Sequence, residues 1–142
     1  MGGMIDAQEQ KILDHFTGKT TFTAPTWYVG LSTTVPTETG GTFVEPLNGG
    51  YTRPALTAAT WTAATGGNPS STSYGAVIQF QTATGGWGTV SYFGLFSVAT
   101  QSTGIVQFWG TLTTAKAIQT NDTPSFAANT LLVKLGDPPD TF

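Results

Sequence analysis

Charged side chains are scarce in this sequence. Asp, Glu, Lys and Arg make up 9% of its 142 residues, whereas soluble domains average about 25%. Five Lys and Arg residues against eight Asp and Glu residues leave a net charge of -3. Nucleic acid is not expected as a partner, because neutralising phosphates requires clustered basic side chains. A surface with few ions to desolvate favours close packing against other proteins.

Cysteine is absent, and histidine occurs once. The lack of cysteine excludes a disulfide framework, a thiol nucleophile and a cysteine-ligated zinc site. His15 has no second histidine to share a metal ion, and only Asp14 is a carboxylate beside it in sequence. We interpret His15 as a helix-surface or interface residue rather than a metal ligand or general base. The sequence therefore predicts no metal ion and no cofactor.

Patterns of catalytic residues are also missing. Glycoside hydrolysis needs two carboxyl groups about 5 to 9 Å apart, and the candidates here are the loop acids Glu38, Glu45 and Asp122. Acids in loops are mostly exposed to solvent. The paired glycines of the chain are not followed by the Lys-Ser/Thr pair and helix of a phosphate-binding loop. We predict that the protein is not an enzyme and has no catalytic residues.

Long apolar runs are lacking as well. Residues Met1–Ala7 have neither the basic start nor the apolar core of a signal peptide, and no run approaches the roughly 20 residues of a membrane-spanning helix. We expect no secretion signal and no membrane partner. The predicted organisation is a flexible lead at residues 1–4, one domain at residues 5–135 and an acidic, proline-rich tail at residues 136–142.

Threonine, glycine and aromatic residues are abundant, which is typical of all-β proteins. The most apolar stretch, Gly85–Leu112, predicts a hairpin of two strands joined across the polar segment Ala99–Gly104. Its first strand, Thr89–Ser97, places Val90, Tyr92, Gly94 and Phe96 on one face and Ser91, Phe93, Leu95 and Ser97 on the other. Because both faces are largely apolar, we expect this strand to be central and covered on both sides.

The remaining strands follow from short apolar alternations bounded by turn residues. They are predicted after Pro25 within Thr20–Ser32, at Tyr51–Leu56 on a sheet edge or at a bulge because of Pro54, and at Thr60–Ala63, Gly75–Gln81, Ala115–Gln119 and Thr130–Leu135. Two loops, Thr33–Gly50 and Thr65–Ser73, and a turn at Asn121–Pro124 separate them. About eight short strands at this spacing predict a β-sandwich, with a jelly roll among the arrangements that the strand count allows.

One helix is predicted, at Ile5–Phe16, with Gly18 as its stop signal. Its apolar residues Ile5, Ile12, Leu13 and Phe16 lie near one face. A helix this short gains little stability on its own. We therefore expect it to dock on the sheet or on a neighbouring molecule.

Several sequence motifs resemble one known family. They are Lys11-Ile-Leu-Asp-His-Phe16, Thr26-Trp-Tyr-Val-Gly-Leu-Ser32, Glu45-Pro, Gly50-Tyr-Thr-Arg-Pro-Ala55, Phe80-Gln-Thr-Ala-Thr-Gly-Gly-Trp-Gly-Thr-Val90, Tyr92-Phe-Gly-Leu-Phe96 and Gly110-Thr-Leu-Thr-Thr-Ala-Lys116. In this order, from about Ile5 to Leu135, the chain resembles small virion structural proteins of tailed bacteriophages. The resemblance implies a tail fibre or capsid decoration protein, located on the capsid surface or tail and made in the host cytoplasm, and brings no catalytic residues with it.

Our first hypothesis is a structural protein that works by symmetric self-association, with a trimer favoured, and by docking onto major capsid or tail proteins. The helix or the Thr33–Gly50 loop would hold a neighbour. The alternative is a receptor- or carbohydrate-binding module whose partner is a host surface glycan. The candidate contact residues for the two hypotheses are Ile12, His15, Phe16, Glu38, Phe43, Glu45, Trp61 and Trp87.

The four tryptophans and one arginine carry separate expectations. Trp27 and Trp109 lie within strands and are predicted in the core. Trp61 and Trp87 are flanked by turn residues, so core rim and contact surface are equally favoured for both. Arg53 is expected to pair with a loop acid such as Glu45. On an exposed surface that ion pair would contribute about 0 to 1 kcal/mol.

Overall fold

The computed structural model of the chain describes residues 3–67 and 69–135. In chain order the described elements are β1 (Gly3–Met4), α1 (Asp6–Phe16), β2 (Trp27–Ser32), β3 (Ala55–Leu56), a 3-10 turn (Ala58–Thr60), β4 (Ser70–Ser73), β5 (Ile78–Gln79), β6 (Gly88–Phe96), β7 (Phe108–Ile118), β8 (Ser125–Phe126) and β9 (Leu132–Leu135). Every strand pairing is antiparallel. The prediction of an all-β protein with one N-terminal helix is confirmed.

The hairpin of β6 and β7 lies at the centre of the main sheet, whose strand order is β1-β7-β6-β2-β3. Leu95 of β6 lies opposite Val29 of β2 on one side and opposite Phe108 of β7 on the other. The predicted central hairpin is therefore confirmed. The edge position predicted from Pro54 is also confirmed, because β3 pairs only with β2 among the described strands.

Both faces of the main sheet are covered, as a strand with two apolar faces requires. On the first face, Leu31 and Leu95 belong to a large core cluster with Ile78 and Leu131, which lie in or next to two small ribbons, β5–β8 and β4–β9. On the second face, Phe96 packs in a smaller cluster that includes Ile5 and Val106. The second layer therefore consists of two separate two-stranded ribbons.

Val90 does not lie where simple alternation along β6 places it. It belongs to the core cluster of Leu95, whereas Phe96 belongs to the cluster on the other face. The cause is a register shift between β6 and β7: Val90 pairs with Lys116, but Tyr92 pairs with Thr111. A bulge of this kind changes the face to which side chains point, and no residue type in the segment signals it.

Several strand boundaries differ from the predictions. The end of the predicted Thr65–Ser73 loop forms β4, because its backbone pairs with β9 although its side chains are Ser and Thr. The predicted strand Ala115–Gln119 is part of β7 rather than a separate element. The predicted strand Thr60–Ala63 is reduced to a single bridge between Trp61 and Tyr74.

The helix agrees closely with its prediction. Ile5 precedes the first helical residue, and the chain turns out of the helix at Gly18, whose φ of 73° favours glycine. Upstream, Gly3 and Met4 were expected in a flexible lead, yet they pair with Trp109 and Phe108 as strand β1.

Two further expectations concern the ends of the chain and the membrane. The predicted tail at residues 136–142 lies outside the described residues. Within the part of the chain that the structure describes, no helix is both long and apolar enough to cross a membrane.

Candidate functional site

A buried ion pair joins two loops on the second face of the sheet. Glu45, near the end of the Thr33–Gly50 loop, receives hydrogen bonds from Arg53 through Nε to Oε1 (2.8 Å) and through Nη2 to Oε2 (2.7 Å). Both side chains are almost fully buried, with exposed fractions of 1% for Arg53 and 2% for Glu45. We call Glu45, Tyr51 and Arg53 the ionic clamp. Its two-point geometry is the strongest that this pair of side chains can adopt.

The clamp also binds the loop between β6 and β7. Arg53 Nη1 donates to the backbone oxygens of Val98 (2.9 Å) and Thr103 (3.2 Å), and the backbone N–H of Ser102 donates to Glu45 Oε2 (2.8 Å). The guanidinium lies 3.5 Å from the ring centroid of Phe96, a cation–π contact. Every charged group of the clamp thus has several partners, which a buried charge requires.

Tyr51 is the third residue of the clamp and links it to β2. Its hydroxyl donates to Glu45 Oε1 (2.8 Å) and accepts from the backbone N–H of Leu31 in β2 (2.8 Å). Burial raises the pKa of the Tyr51 hydroxyl far above its ordinary value, and the neighbouring Glu45 carboxylate raises it further. Tyr51 is therefore a neutral hydrogen-bond donor at physiological pH.

Two glycines make room for the loop that carries Glu45. Gly30 and Gly94 lie opposite each other in β2 and β6. A Cβ atom at Gly30 would lie 2.9 Å from Glu45 Oε1, and one at Gly94 would lie 2.8 Å from Phe43 Cε2. Phe43 instead packs edge-on against Phe96, with ring centroids 5.0 Å apart. The Thr33–Gly50 loop is therefore held on the sheet.

The predicted pairing of Arg53 with Glu45 is confirmed, but its predicted exposure is wrong. The pair is buried because the loop folds back over it. The consequence is energetic: removing one partner of a buried pair typically costs about 3 to 5 kcal/mol. Tyr51 was not singled out from the sequence, since a tyrosine at a strand start gives no sign of where its hydroxyl will point.

The helix is the least buried element that carries candidate contact residues. Gln8 is the one buried residue within α1, whereas Leu13 is 63% exposed and Phe16 is 87% exposed. No strand among the described residues packs extensively against α1. The helix is held instead at its start, where the Ile5 N–H donates to the Gln107 carbonyl (3.1 Å) and Gln8 is buried.

The other candidate residues are spread over the surface and core. Ile12 is half-buried on α1, and the exposed His15 accepts a hydrogen bond at Nδ1 from the backbone N–H of Phe22 (3.1 Å). Glu38 is exposed in the long loop, and its carbonyl accepts from the Asp6 N–H (3.3 Å). The structure does not bring the eight candidates together into one site.

The four tryptophans differ in how deeply they are buried. Trp87 is 4% exposed and donates its indole N–H to the Gly49 carbonyl (2.8 Å). It is therefore a core residue, and the alternative that placed it on a contact surface is wrong. Trp61 is half-buried and packs edge-on against Tyr74. Trp27 and Trp109 pack against the two core clusters, as predicted.

The described residues contain no cluster of metal-ligating side chains. Among residues 3–67 and 69–135, no group of three or more His, Cys, Asp or Glu side chains is arranged to hold a metal ion. Glu45 is committed to Arg53 and Tyr51, so it does not face Glu38 or Asp122 across a cleft.

Fold and sites together define a class: a small antiparallel β-protein whose buried ion pair binds its own loops and whose N-terminal helix lies exposed beside the sheet. The family follows from comparison with known proteins. A family model described as podophage GP4 fiber I protein gp80 matches residues 3–134. The match covers nearly the whole chain, so the protein belongs to this family of phage fibre proteins, and the resemblance to virion structural proteins is confirmed. No curated protein matches the chain significantly.

Proposed function

We propose that the protein is a non-enzymatic building block of a phage fibre and that copies of it associate through α1. Family membership supports a structural component of the phage tail. The observation that carries the self-association is the exposure of Leu13 and Phe16 on a helix against which no described strand packs extensively. A helix of eleven residues is marginal without such support.

The second copy is the occupant that the surface favours. Leu13 and Phe16 are three residues apart, so they are neighbours on the helix and form one apolar strip. Large apolar side chains at the centre of an interface supply most of its binding energy. The low charge of the chain reduces the desolvation that association requires. A trimer is the expected assembly, and docking onto tail or capsid proteins would follow from repeated weak contacts.

The glycan-binding alternative is weakened at the residues first considered for it. Trp87 is buried and cannot stack on a sugar. Trp61 is held edge-on by Tyr74 and offers only part of its ring. Neither residue carries the proposal.

Imaging of phage particles tests the proposed function. Particles that lack the protein are incubated with the labelled chain, with the variant Leu13→Ser/Phe16→Ser, or with the control Gln10→Ser, which changes an exposed residue of the same helix. We expect the wild type and Gln10→Ser to appear as fibres on the tail and the double variant to be absent. Equal decoration by all three chains would contradict the role of α1, and labelling of the capsid alone would contradict the fibre assignment.

A further inference from the structure

Near its end, the Thr33–Gly50 loop contains an asparagine followed by glycine, Asn48-Gly49. Asn48 is exposed at a bend, and Gly49 begins the turn after it with a φ of 69°. In such a pair the backbone nitrogen of the glycine can reach the side-chain amide of the asparagine, because no Cβ atom hinders its approach. The two groups that react in deamidation are therefore adjacent and partly open to solvent.

The structure distinguishes Asn48 from the other asparagines by the state of the next backbone N–H. After Asn121 and Asn129, that N–H donates to a backbone carbonyl, at 3.1 Å and 3.2 Å respectively. Asn68 precedes a proline, which has no N–H. The N–H of Gly49 has no hydrogen-bond acceptor among the residues that the structure describes. Only at Asn48 is the attacking nitrogen both present and unbonded.

We propose that Asn48 is a self-modification site at which the folded chain deamidates. The Gly49 nitrogen attacks the side-chain carbonyl carbon of Asn48, a C–N bond forms, and the side-chain amide leaves as ammonia with the proton of the Gly49 N–H. Water then opens the cyclic imide. Attack of water at the former side-chain carbonyl gives aspartate, and attack at the backbone carbonyl gives isoaspartate. Water is the co-reactant, and no electrons are transferred.

The backbone on either side of Asn48 is fixed. Downstream, the Gly49 carbonyl accepts from the Trp87 indole N–H (2.8 Å) and from the Thr84 backbone N–H (2.9 Å). Upstream, Glu45 is held in the ionic clamp. Isoaspartate adds a methylene group to the backbone between these two points, whereas aspartate does not. We therefore expect the isoaspartate form to loosen the hydrogen bond of Trp87 in the core.

The modification is independent of the association proposed for α1. Asn48 lies on the long loop, and the reaction needs neither a second copy nor the apolar residues Leu13 and Phe16. Either product adds a negative charge to a chain that has few charges. The inferred property is a change of the loop with the age of the protein.

Peptide mapping of the aged chain tests the inference. The folded chain and the chain unfolded in urea are kept at the same temperature and pH, and mass spectrometry follows conversion at each asparagine. We expect folding to slow the conversion of Asn48 by less than about tenfold. Conversion of Asn121 and Asn129 should be slowed more strongly, because their next N–H groups are already bonded. Protection of Asn48 as strong as that of the other two would overturn the inference.

Two variants test the effect on Trp87. The isoaspartate form of the wild type is expected to exchange its Trp87 indole proton at least about tenfold faster than the unaged chain. Fresh Asn48→Asp carries the added charge without the longer backbone and should exchange as slowly as the unaged chain. Asn48→Gln, aged in parallel, should keep both its mass and its slow exchange, because its longer side chain closes a ring less readily. Equal exchange in the isoaspartate form and the unaged chain would contradict the link to Trp87.

Discussion

Single residues of the ionic clamp determine how the long loop is held. Glu45 and Arg53 are close in sequence and at once recognisable as opposite charges, so their pairing is predictable. Their burial is not predictable, because it depends on Gly30 and Gly94 leaving space for a loop that comes from elsewhere in the chain. The same two residues would contribute little on an open surface.

Breaking the pair from one side is expected to destabilise the protein strongly. Glu45→Gln leaves the Arg53 guanidinium buried without its counter-charge, which should lower the free energy of unfolding by about 3 to 5 kcal/mol. Urea denaturation measures the loss. The double variant Glu45→Gln/Arg53→Met should lose less than the sum of the two single variants, and the exposed Glu9→Gln should change stability by less than about 0.5 kcal/mol. A strictly additive double variant would contradict the coupling.

Tyr51 makes the stability of the protein depend on alkaline pH. The native pKa of Tyr51 lies above its ordinary value of 10.0, so the unfolded chain loses this proton first. The native state therefore holds more protons above about pH 10, and the free energy of unfolding falls there by up to about 1.4 kcal/mol per pH unit. The contribution is complete below that pH.

Tyr51→Phe removes the titrating hydroxyl. It should cost stability at pH 7, because the Leu31 N–H loses its acceptor, and it should also flatten the decline between pH 10 and pH 11. Denaturant unfolding at each pH measures both effects, and the half-buried Tyr92→Phe serves as the control with the wild-type slope. An unchanged slope in Tyr51→Phe would show that another group titrates.

At the scale of elements, the Thr33–Gly50 loop depends on the glycine pair beneath it. Gly94→Ala would drive Phe43 and Val106 away from the sheet, and we expect a loss of about 1 to 3 kcal/mol in unfolding free energy. Gly66→Ala is the matched control, since a Cβ atom there meets nothing within 4 Å. Thermal unfolding compares the two variants, and equal midpoints would contradict the close packing of Phe43.

Elements were predictable where local pattern and tertiary environment agree. The helix from Asp6, the strand with Trp27, Val29 and Leu31 on one face, and the central hairpin follow from periodicity and turn residues. β4 was missed because Ser70–Ser73 has no apolar alternation and is a strand only through its pairing with β9. Val90 was placed on the wrong face because a bulge between two strands leaves no signature in either sequence.

The candidate sites were predictable only in part for a related reason. Exposed apolar residues on a short helix can be recognised from spacing, and Phe16 was found in this way. The burial of Gln8 could not be predicted, because an amide on a short helix is ordinarily solvated, whereas this one is 1% exposed. Trp87 was ambiguous because turn residues flank it, although its ring lies inside the core.

At the scale of the whole molecule, low charge and a helix whose Leu13 and Phe16 are exposed fit a protein that associates with copies of itself. The large core cluster and the ionic clamp contain no residue of α1. Substitutions on the outer side of α1 should therefore alter assembly while the β-structure is retained.

The most direct test is the mass of the protein in solution, measured by sedimentation equilibrium over a range of concentrations. We predict a multimer of the 14.8 kDa chain, three copies being the expected number, and a monomer for Leu13→Ser/Phe16→Ser with an unchanged β-sheet circular dichroism spectrum. The two lost apolar contacts should weaken association by at least about 2 kcal/mol, while Gln10→Ser retains the wild-type mass. A wild-type chain that stays monomeric at about 100 μM, where a micromolar interface would be nearly saturated, would contradict association through α1.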